Sequence, residues 1–259
     1  MIFTDSHCHI SSDEFDIDRK DVVIRAKENN VGYILNVCDD ISKTDALISF
    51  CKDYKNMYTT VGVHPEIADK YENLNVENFL SYVSSPYVVG IGECGLDYHY
   101  NADIKEQQLK ILDIQIKTAQ VSGLPLIIHN RESDEDMIDI LGNAFKKQNF
   151  KGELHCFSSS EKLADFALSI GFYISASGII TFKNSDPLRE IFKKVPNNKL
   201  LIETDSPFLA PTPYRGKRNE PAYVVNTAKV LAELKNMDIE KMAEITTDNF
   251  LCLFDKVKS

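Results

Sequence analysis

Eight short apolar, β-branched runs, each separated from the next by a longer amphipathic stretch, constrain this chain more than any other feature. The runs are IFTDSHCH (2–9), VGYILNV (31–37), MYTTVGVH (57–64), YVVGIGE (87–93), LPLIIH (124–129), GELHCF (152–157), FYISASG (172–178) and KLLIETD (199–205). Helical patterns lie over 18–29, 42–55, 76–84, 104–122, 134–148, 161–170 and 187–194, and again over 222–235 and 239–254. In the fourth, Leu109, Leu112, Ile116 and Ala119 recur at steps of three and four and describe one buried helix face. Strands that alternate with helices pair in parallel, because a parallel crossover needs a dozen or more residues and a helix supplies them. Eight such units in 259 residues match the size of a (β/α)8 TIM barrel, an α/β fold. An open doubly wound sheet shares the alternation, but the phosphate-binding G-x-G-x-x-G that would follow its first strand is absent.

No low-complexity tract, charge block, Pro/Gly-rich linker or short-period repeat divides the sequence, so residues 1–259 read as a single domain. With 43% hydrophobic residues such a domain buries about three-quarters of its unfolded surface and needs no staple. The longest apolar runs stop short of the roughly 18–20 residues that cross a bilayer, which argues against a membrane partner. The cysteines Cys8, Cys38, Cys51, Cys94, Cys156 and Cys252 are scattered with no C-x-x-C pair, and the N-terminus lacks the charged and apolar regions of a secretory signal. A cytoplasmic location is expected. The net charge of −10 is the opposite of that expected for a protein that coats nucleic acid.

A barrel of this kind carries its active site at the C-terminal ends of its strands. Here those ends are metal ligands: His7 and His9, His64, Glu93, His129, His155, and Glu203-Thr204-Asp205. Five of the six histidines occupy such positions, and the sixth, His99, lies in the loop after the fourth strand. Side chains alternate along a strand, so His7 and His9 share a face while Cys8 points away. By the same parity Cys8, Cys94 and Cys156 are expected to pack as small hydrophobes between strands and helices. One histidine at a strand end is ordinarily structural. Four histidines and two carboxylates converging on one rim are costly to desolvate unless a cation compensates them.

Imidazole and carboxylate donors suit zinc, manganese, iron or magnesium, and there are more of them than one tetrahedral ion requires. Two divalent metal ions follow, with a carboxylate as bridge. Such a pair, ~3.5–4 Å apart, lowers the pKa of a shared water and clamps the attacking and leaving oxygens of a hydrolytic displacement. Hydrolysis is the expected reaction class.

SHCH, GVHP, GECGLDYH, LIIHNRES, LHCFS, IETDSPFLAP and RGKRNEP, in this order from Asp5 to Pro221, resemble the motifs of the TatD family of metal-dependent deoxyribonucleases, whose fold is a (β/α)8 barrel. The resemblance implies that His7, His9, Asp205 and Glu93 hold one metal and that Glu93, His129 and His155 hold the other. Glu93 would bridge where related binuclear amidohydrolases often use a carboxylated lysine. Asp205, touching a metal and its water, is assigned the general-base role. The chain departs from the family pattern at Ser159 and Ser160, where glycine is common, and at His129-Asn130-Arg131, where the family often has HSR.

His64 lies, by strand order, too far around the rim for ligation and is assigned to substrate phosphate, the alternative being a His-Pro turn that caps its strand. The guanidinium of Arg131 suits a phosphate oxygen, with a salt bridge to a loop acid as the structural alternative. The loop after strand 8 has three prolines and then Arg215, Lys217 and Arg218 with no acid until Glu220; it reads as a phosphate-backbone contact at the mouth, or else as a solvated loop. Tyr98 and Tyr214 are candidates to stack on a base.

The resulting expectation is a metallohydrolase resembling the TatD deoxyribonucleases that cleaves phosphodiester bonds of single-stranded DNA from the 3′ end, a polarity implied only by the resemblance, with RNA as a further substrate and no stable protein partner. Hydrolysis of an ester or amide, as in deacylation of aminoacyl-tRNA, and a non-catalytic metal-stabilised binding module are the alternatives. The acidic net charge then averages over a surface whose relevant rim is cationic, and weak, salt-dependent binding of a strand end is expected.

Overall fold

A computed structural model describes residues 1–257. The strands are β1 (Phe3–Cys8), β2 (Val31–Asn36), β3 (Met57–Val61), β4 (Val88–Asp97), β5 (Leu126–Arg131), β6 (Gly152–Leu154), β7 (Tyr173–Ala176) and β8 (Leu200–Ile202). They form one sheet in sequential order, every neighbouring pair parallel. Helices α1 (Arg19–Glu28), α2 (Thr44–Lys52), α3 (Val76–Val83), α4 (Lys105–Ser122), α5 (Asp134–Lys147), α6 (Glu161–Ser169) and α7 (Asp186–Lys194) occupy the connections, and α8 (Val224–Leu234) and α9 (Ile239–Leu253) follow β8. This is the expected (β/α)8 barrel. In α4, Leu112, Ile116 and Ala119 are buried, and the helix stops at Gly123, whose φ of 74° suits a residue without a Cβ.

The barrel closes at the β8–β1 seam through a few specific bonds. The Asp205 N–H donates to the His7 carbonyl (2.9 Å) and the His9 N–H to the Ser206 carbonyl (2.8 Å). Below them the buried Asp5 carboxylate accepts from the Thr204 N–H (2.8 Å) and the Thr204 hydroxyl (2.6 Å). The seam therefore ties His7 to Asp205 directly and His9 to the adjacent Ser206.

Alternation divides the apolar residues between two layers. Leu35, Val89, Ile127, Tyr173 and Leu201, from five different strands, pack with Phe250, Leu253 and Phe254 of the α9 end. Their strand neighbours Ile34, Val88, Leu126, Ile174 and Leu200 join the larger layer beneath the helices. Going up the strands by the interior parity, Ile127 is followed by His129, and Leu201 by Glu203 and Asp205. The floor is thus apolar and the rim polar, and the chain's charges meet where the loops begin.

Candidate metal centre

The β6 and β8 ladders are only three residues long, so His155 and Asp205 lie just beyond them on bent backbone: Cys156 has φ 44° and Asp205 φ 56°. These bends are the local reason that short strands still deliver side chains to a common centre. Cys8 and Cys94 are buried in the strand–helix layer as the parity predicts. Cys156 departs from that expectation: its left-handed backbone turns it out of the strand pattern, the residue is partly exposed, and its thiol donates to the Ser177 hydroxyl at 3.2 Å.

Glu93 stands at the middle of the centre, 3% exposed. Its Oε2 lies 3.2 Å from His7 Nε2 and 3.6 Å from His9 Nε2. Its Oε1 lies 2.8 Å from His155 Nε2, 3.2 Å from His129 Nδ1 and 3.2 Å from His64 Nε2. Asp205 Oδ1 approaches His7 and His9 at 3.9 and 3.7 Å. Ligand atoms cluster as His7–His9–Asp205, His64–Glu93–His129 and His7–Glu93–His155.

His64 is closer than strand order suggests. Gly62 explains the approach: a Cβ there would sit 2.2 Å from the Gly92 carbonyl carbon, so the end of the β3 segment and the β4 backbone touch with no side chain between them. Gly95 has a matching role on the other side of Glu93. Its φ is 140° and an added Cβ would fall 1.9 Å from the His129 carbonyl oxygen. Replacing Gly95 with Ala is therefore expected to cost ~3 kcal/mol or more, as strain at a special backbone position does, and to displace His129; thermal unfolding and metal content of the purified variant check it.

The electrostatics suit a cation. Burial pushes the Glu93 carboxyl up, but the charges of His155, His64 and His7 outweigh it and hold the group well below the usual carboxylate range. Burial, reinforced by His155, pushes the His7 imidazole below its usual value, with Glu93 pulling the other way. His9, despite burial, is pushed up to about 9 by Asp205 and Glu93. In His155, burial is likewise outweighed by Glu93 and Glu203. The carboxylates thus hold protons on imidazoles that a divalent cation replaces on binding. The donor set, neutral or proton-exchanging imidazoles around two ionised carboxylates, fits such ions chemically. Two outer carboxylates orient it further: Asp97 Oδ2 is 3.1 Å from His129 Nε2, and Glu203 Oε1 is 3.4 Å from His155 Nδ1. Carboxylates behind imidazoles fix ring orientation and raise ligand basicity.

Three of these chain features escaped sequence reasoning. Asp97 belongs to the GECGLDYH motif, but β4 runs on to it, past the expected strand end at Glu93. Asp5 faces the seam rather than the rim. Glu153, on interior parity in β6, is buried with neither carboxylate oxygen hydrogen-bonded, and burial, with Glu203 close by, holds its pKa well above the usual range. The acid inside the GELHCF run was the available signal.

A cavity of about 500 Å³ opens onto the centre, lined by His9, His64, Glu93, His129, His155 and Asp205 together with Tyr100, Arg131 and Phe208. Arg131 is exposed, forms no ion pair among the described residues, and lies 4.5 Å over the Tyr100 ring. It also borders a second cavity of about 710 Å³, whose walls include Tyr98, Lys105, Asn130 and Ser159 but no residue of the histidine cluster. The basic loop after β8 is held differently from residue to residue. Arg215 sits 3.7 Å over the Phe182 ring, and Lys217 is exposed. Arg218 donates to Asp18 (2.7 Å) and to the Glu14 carbonyl (2.6 Å) and covers Phe15. Tyr98 donates to Asp136, and Tyr214 stacks on Tyr223 with ring centroids 3.8 Å apart. His99 pairs with Glu132 at 2.6 Å, away from the cluster.

Arg218 belongs to a network that ties this loop to α1: Arg25 donates to both oxygens of the buried Glu220 (2.8 and 2.7 Å) and to Asp18 (3.0 Å). Hydrogen bonds from Arg218 and Arg25 depress the Asp18 carboxyl from 3.8 to about 2. A depressed acid stabilises the fold above its unfolded pKa and loses that contribution as pH falls through the folded value. Asp18→Asn is therefore expected to lower stability at neutral pH by about 1 kcal/mol, the scale of a solvent-screened pair. Its deficit relative to wild type should close between about pH 4 and pH 2, as denaturant titrations across that range would show.

Comparison with known proteins bears directly on this geometry. The family model described as TatD related DNase matches residues 4–255. The chain belongs to the TatD family. It is a metal-dependent hydrolase, as are its curated relatives in this family. The uncharacterized metal-dependent hydrolase YabD of Bacillus subtilis is 39% identical over 254 residues, covering 98% of this chain and 99% of that protein. The uncharacterized metal-dependent hydrolase YcfH of Escherichia coli is 36% identical over 257 residues, covering 98% and 96%. The crystal structure of YJJV, a TatD homolog from Escherichia coli, superposes with a TM-score of 0.91 at 27% identity and covers 98% of both chains. Within the TatD family frame, the histidine–carboxylate cluster lies where a (β/α)8 hydrolase carries its chemistry. Among the described residues no helix is long and apolar enough to cross a membrane.

Proposed function

We propose that this chain is a deoxyribonuclease that hydrolyses phosphodiester bonds of single-stranded DNA from the 3′ end, with RNA as a secondary substrate, through a binuclear centre. The observation that carries the reading is the division of Glu93: Oε2 faces His7 and His9 while Oε1 faces His64, His129 and His155. A carboxylate whose two oxygens look into two imidazole sets is arranged to bridge two cations. His7, His9 and Asp205 with Glu93 would hold one ion, and Glu93, His129 and His155 the other; zinc, manganese and magnesium all suit the donors. Such ions supply Lewis acidity toward a phosphoryl oxygen and acidify a bound water.

The protein's own groups do the rest. Arg131, on the cavity wall and without an ion pair among the described residues, offers a planar fork to a phosphate oxygen. His64, 14% exposed at its side chain with Nε2 3.2 Å from Glu93 Oε1 and Nδ1 accepting from the Glu66 N–H, borders the cavity as a contact for substrate phosphate. Asp205 is held below the usual carboxylate range, because the hydrogen bond from His9 and the charges of His7 and His155 outweigh its burial; being ionised, it accepts the proton of the attacking water. Arg215 and Lys217 contribute charge at the mouth, and Arg218 contributes through the loop it pins to α1. The six free cysteines suit a reducing compartment, the cytoplasm.

One panel tests the reading: single-stranded DNA, duplex DNA, RNA and acylated tRNA, each with metal-loaded, chelator-treated and Glu93→Ala protein. Metal-dependent release of mononucleotides from single-stranded DNA is the expected result. Release of amino acid with tRNA left intact would replace it with an ester hydrolase, and no turnover in any lane would leave a binding module.

A further inference from the structure

The exposed large hydrophobic residues among those described are Met1, Ile2, Ile17, Ile24, Tyr100, Val121 and Phe208. Only Tyr100 and Phe208 are aromatic, and both line the cavity that opens onto Glu93 and the histidines around it. Scattered exposed aliphatic residues are ordinary; two exposed rings converging on a polar concavity are a binding feature. Tyr100, 62% exposed, lies in the loop after β4, and Phe208, 56% exposed, in the loop after β8. In a ring of eight sequential strands those loops stand on opposite sides of the mouth.

Both rings are fixed at their backbones, and Tyr100 is supported further by the His99 ring standing edge-on to it, with centroids 4.6 Å apart. The Tyr100 N–H donates to Asp97 Oδ1 at 2.9 Å, on the same carboxylate whose other oxygen faces His129. The Arg131 guanidinium sits 4.5 Å from the Tyr100 ring centroid. The Phe208 N–H donates to the Asp205 carbonyl (2.9 Å), and the Asn219 side-chain amide donates to both the Phe208 carbonyl (2.6 Å) and the Thr204 carbonyl (2.8 Å). Each ring is thus tied through one or two hydrogen bonds to a residue of the metal cluster, which sets its distance from the chemistry. The cavity combines a candidate metal centre, whose cations would attract an anion, and the Arg131 guanidinium with two exposed rings, which select a flat apolar group. A nucleotide carries both.

We propose that Tyr100 and Phe208 are the base-stacking walls of this cavity, gripping unpaired nucleobases on either side of the bond to be cleaved without reading their edges. This rests on the nuclease reading above and gives a physical reason for its single-stranded substrate: bases already paired and stacked in a duplex present no free face to either ring. Tyr98 and Tyr214, by contrast, spend their polar and flat surfaces on Asp136 and Tyr223.

The test separates binding from cleavage. The chain has no tryptophan, so a single-stranded oligonucleotide ending in 2-aminopurine reports stacking by its own fluorescence. Wild type is expected to quench it, and Phe208→Ala and Tyr100→Ala to weaken binding by ~5–100-fold each, the scale of base–aromatic stacking, with Phe208→Tyr restoring it. In the cleavage arm, a strand with an abasic terminal nucleotide should be a poorer substrate than one with a thymidine, and the two alanine variants should erase that preference while retaining the wild-type metal content. Equal binding by wild type and both variants overturns the stacking proposal, whatever the cleavage arm gives. Stacking lost in the variants with no cleavage by metal-loaded wild type would instead overturn the nuclease reading and leave the aromatic walls standing.

Discussion

Replacing Glu93 with Gln is expected to reduce hydrolysis by roughly 10³-fold or more, at the upper end of what losing one preorganised electrostatic contact costs, and to strip metal from the protein. The expectation follows from where the charge sits. Glu93 is the one carboxylate within 3.6 Å of five imidazoles, and an amide of the same shape keeps the volume while removing the anion that neutralises them. Elemental analysis of Glu93→Gln should show the loss of at least about one ion per chain if a shared bridge is lost, and calorimetric titration of metal into the apo-variant should show the weaker site directly. A variant that binds the same number of ions as wild type would remove the bridging role even if its activity were low.

Asp205→Asn is expected to behave differently, keeping its metals and losing rate. Asp205 Oδ1 stands 3.7 Å or more from His9 and His7, farther than Glu93 from its partners, and its 14% exposed side chain faces the cavity where water enters. A general base contributes ~10²–10⁴-fold, and that loss should fall on kcat with metal stoichiometry retained. Single-turnover rates measured on metal-quantified protein distinguish the two roles: a wild-type rate would remove the base assignment, and a loss of metal in parallel with rate would make Asp205 a ligand alone.

How far the site could be read in advance depended on how local each cause was. His7 and His9 share a face because strand parity acts over two residues, and the structure sets both against Glu93 Oε2. Asp97, by contrast, becomes part of the site only because β4 continues four residues past Glu93 and pairs beside His129 and Arg131. Arg218 shows the opposite case: a basic residue in a basic loop, whose guanidinium is directed to Asp18 some 200 positions earlier in the chain. Charge spacing along the loop carries no record of that partner. Tyr98 and Tyr100 make the same point at short range, since two positions separate a ring that borders one cavity and donates to Asp136 from a ring exposed in the other.

By itself, then, the sequence determined the repeating strand–helix unit, the number of units and the chemical type of residue at each strand end. These follow from periodicity and polarity within windows of ten or so residues, where the physics is local. Tertiary structure alone decided that Glu93 offers one oxygen to each of two imidazole sets, that the Gly62–Gly92 contact brings His64 to its side, and that Tyr100 and Phe208 face the same cavity from opposite loops. Those relations depend on closing the ring, with Asp5 and His7 of the first strand bonded to Thr204 and Asp205 after the last. No local pattern specifies which groups meet across a barrel, because that is fixed by backbone approach and seam register between residues about 200 positions apart.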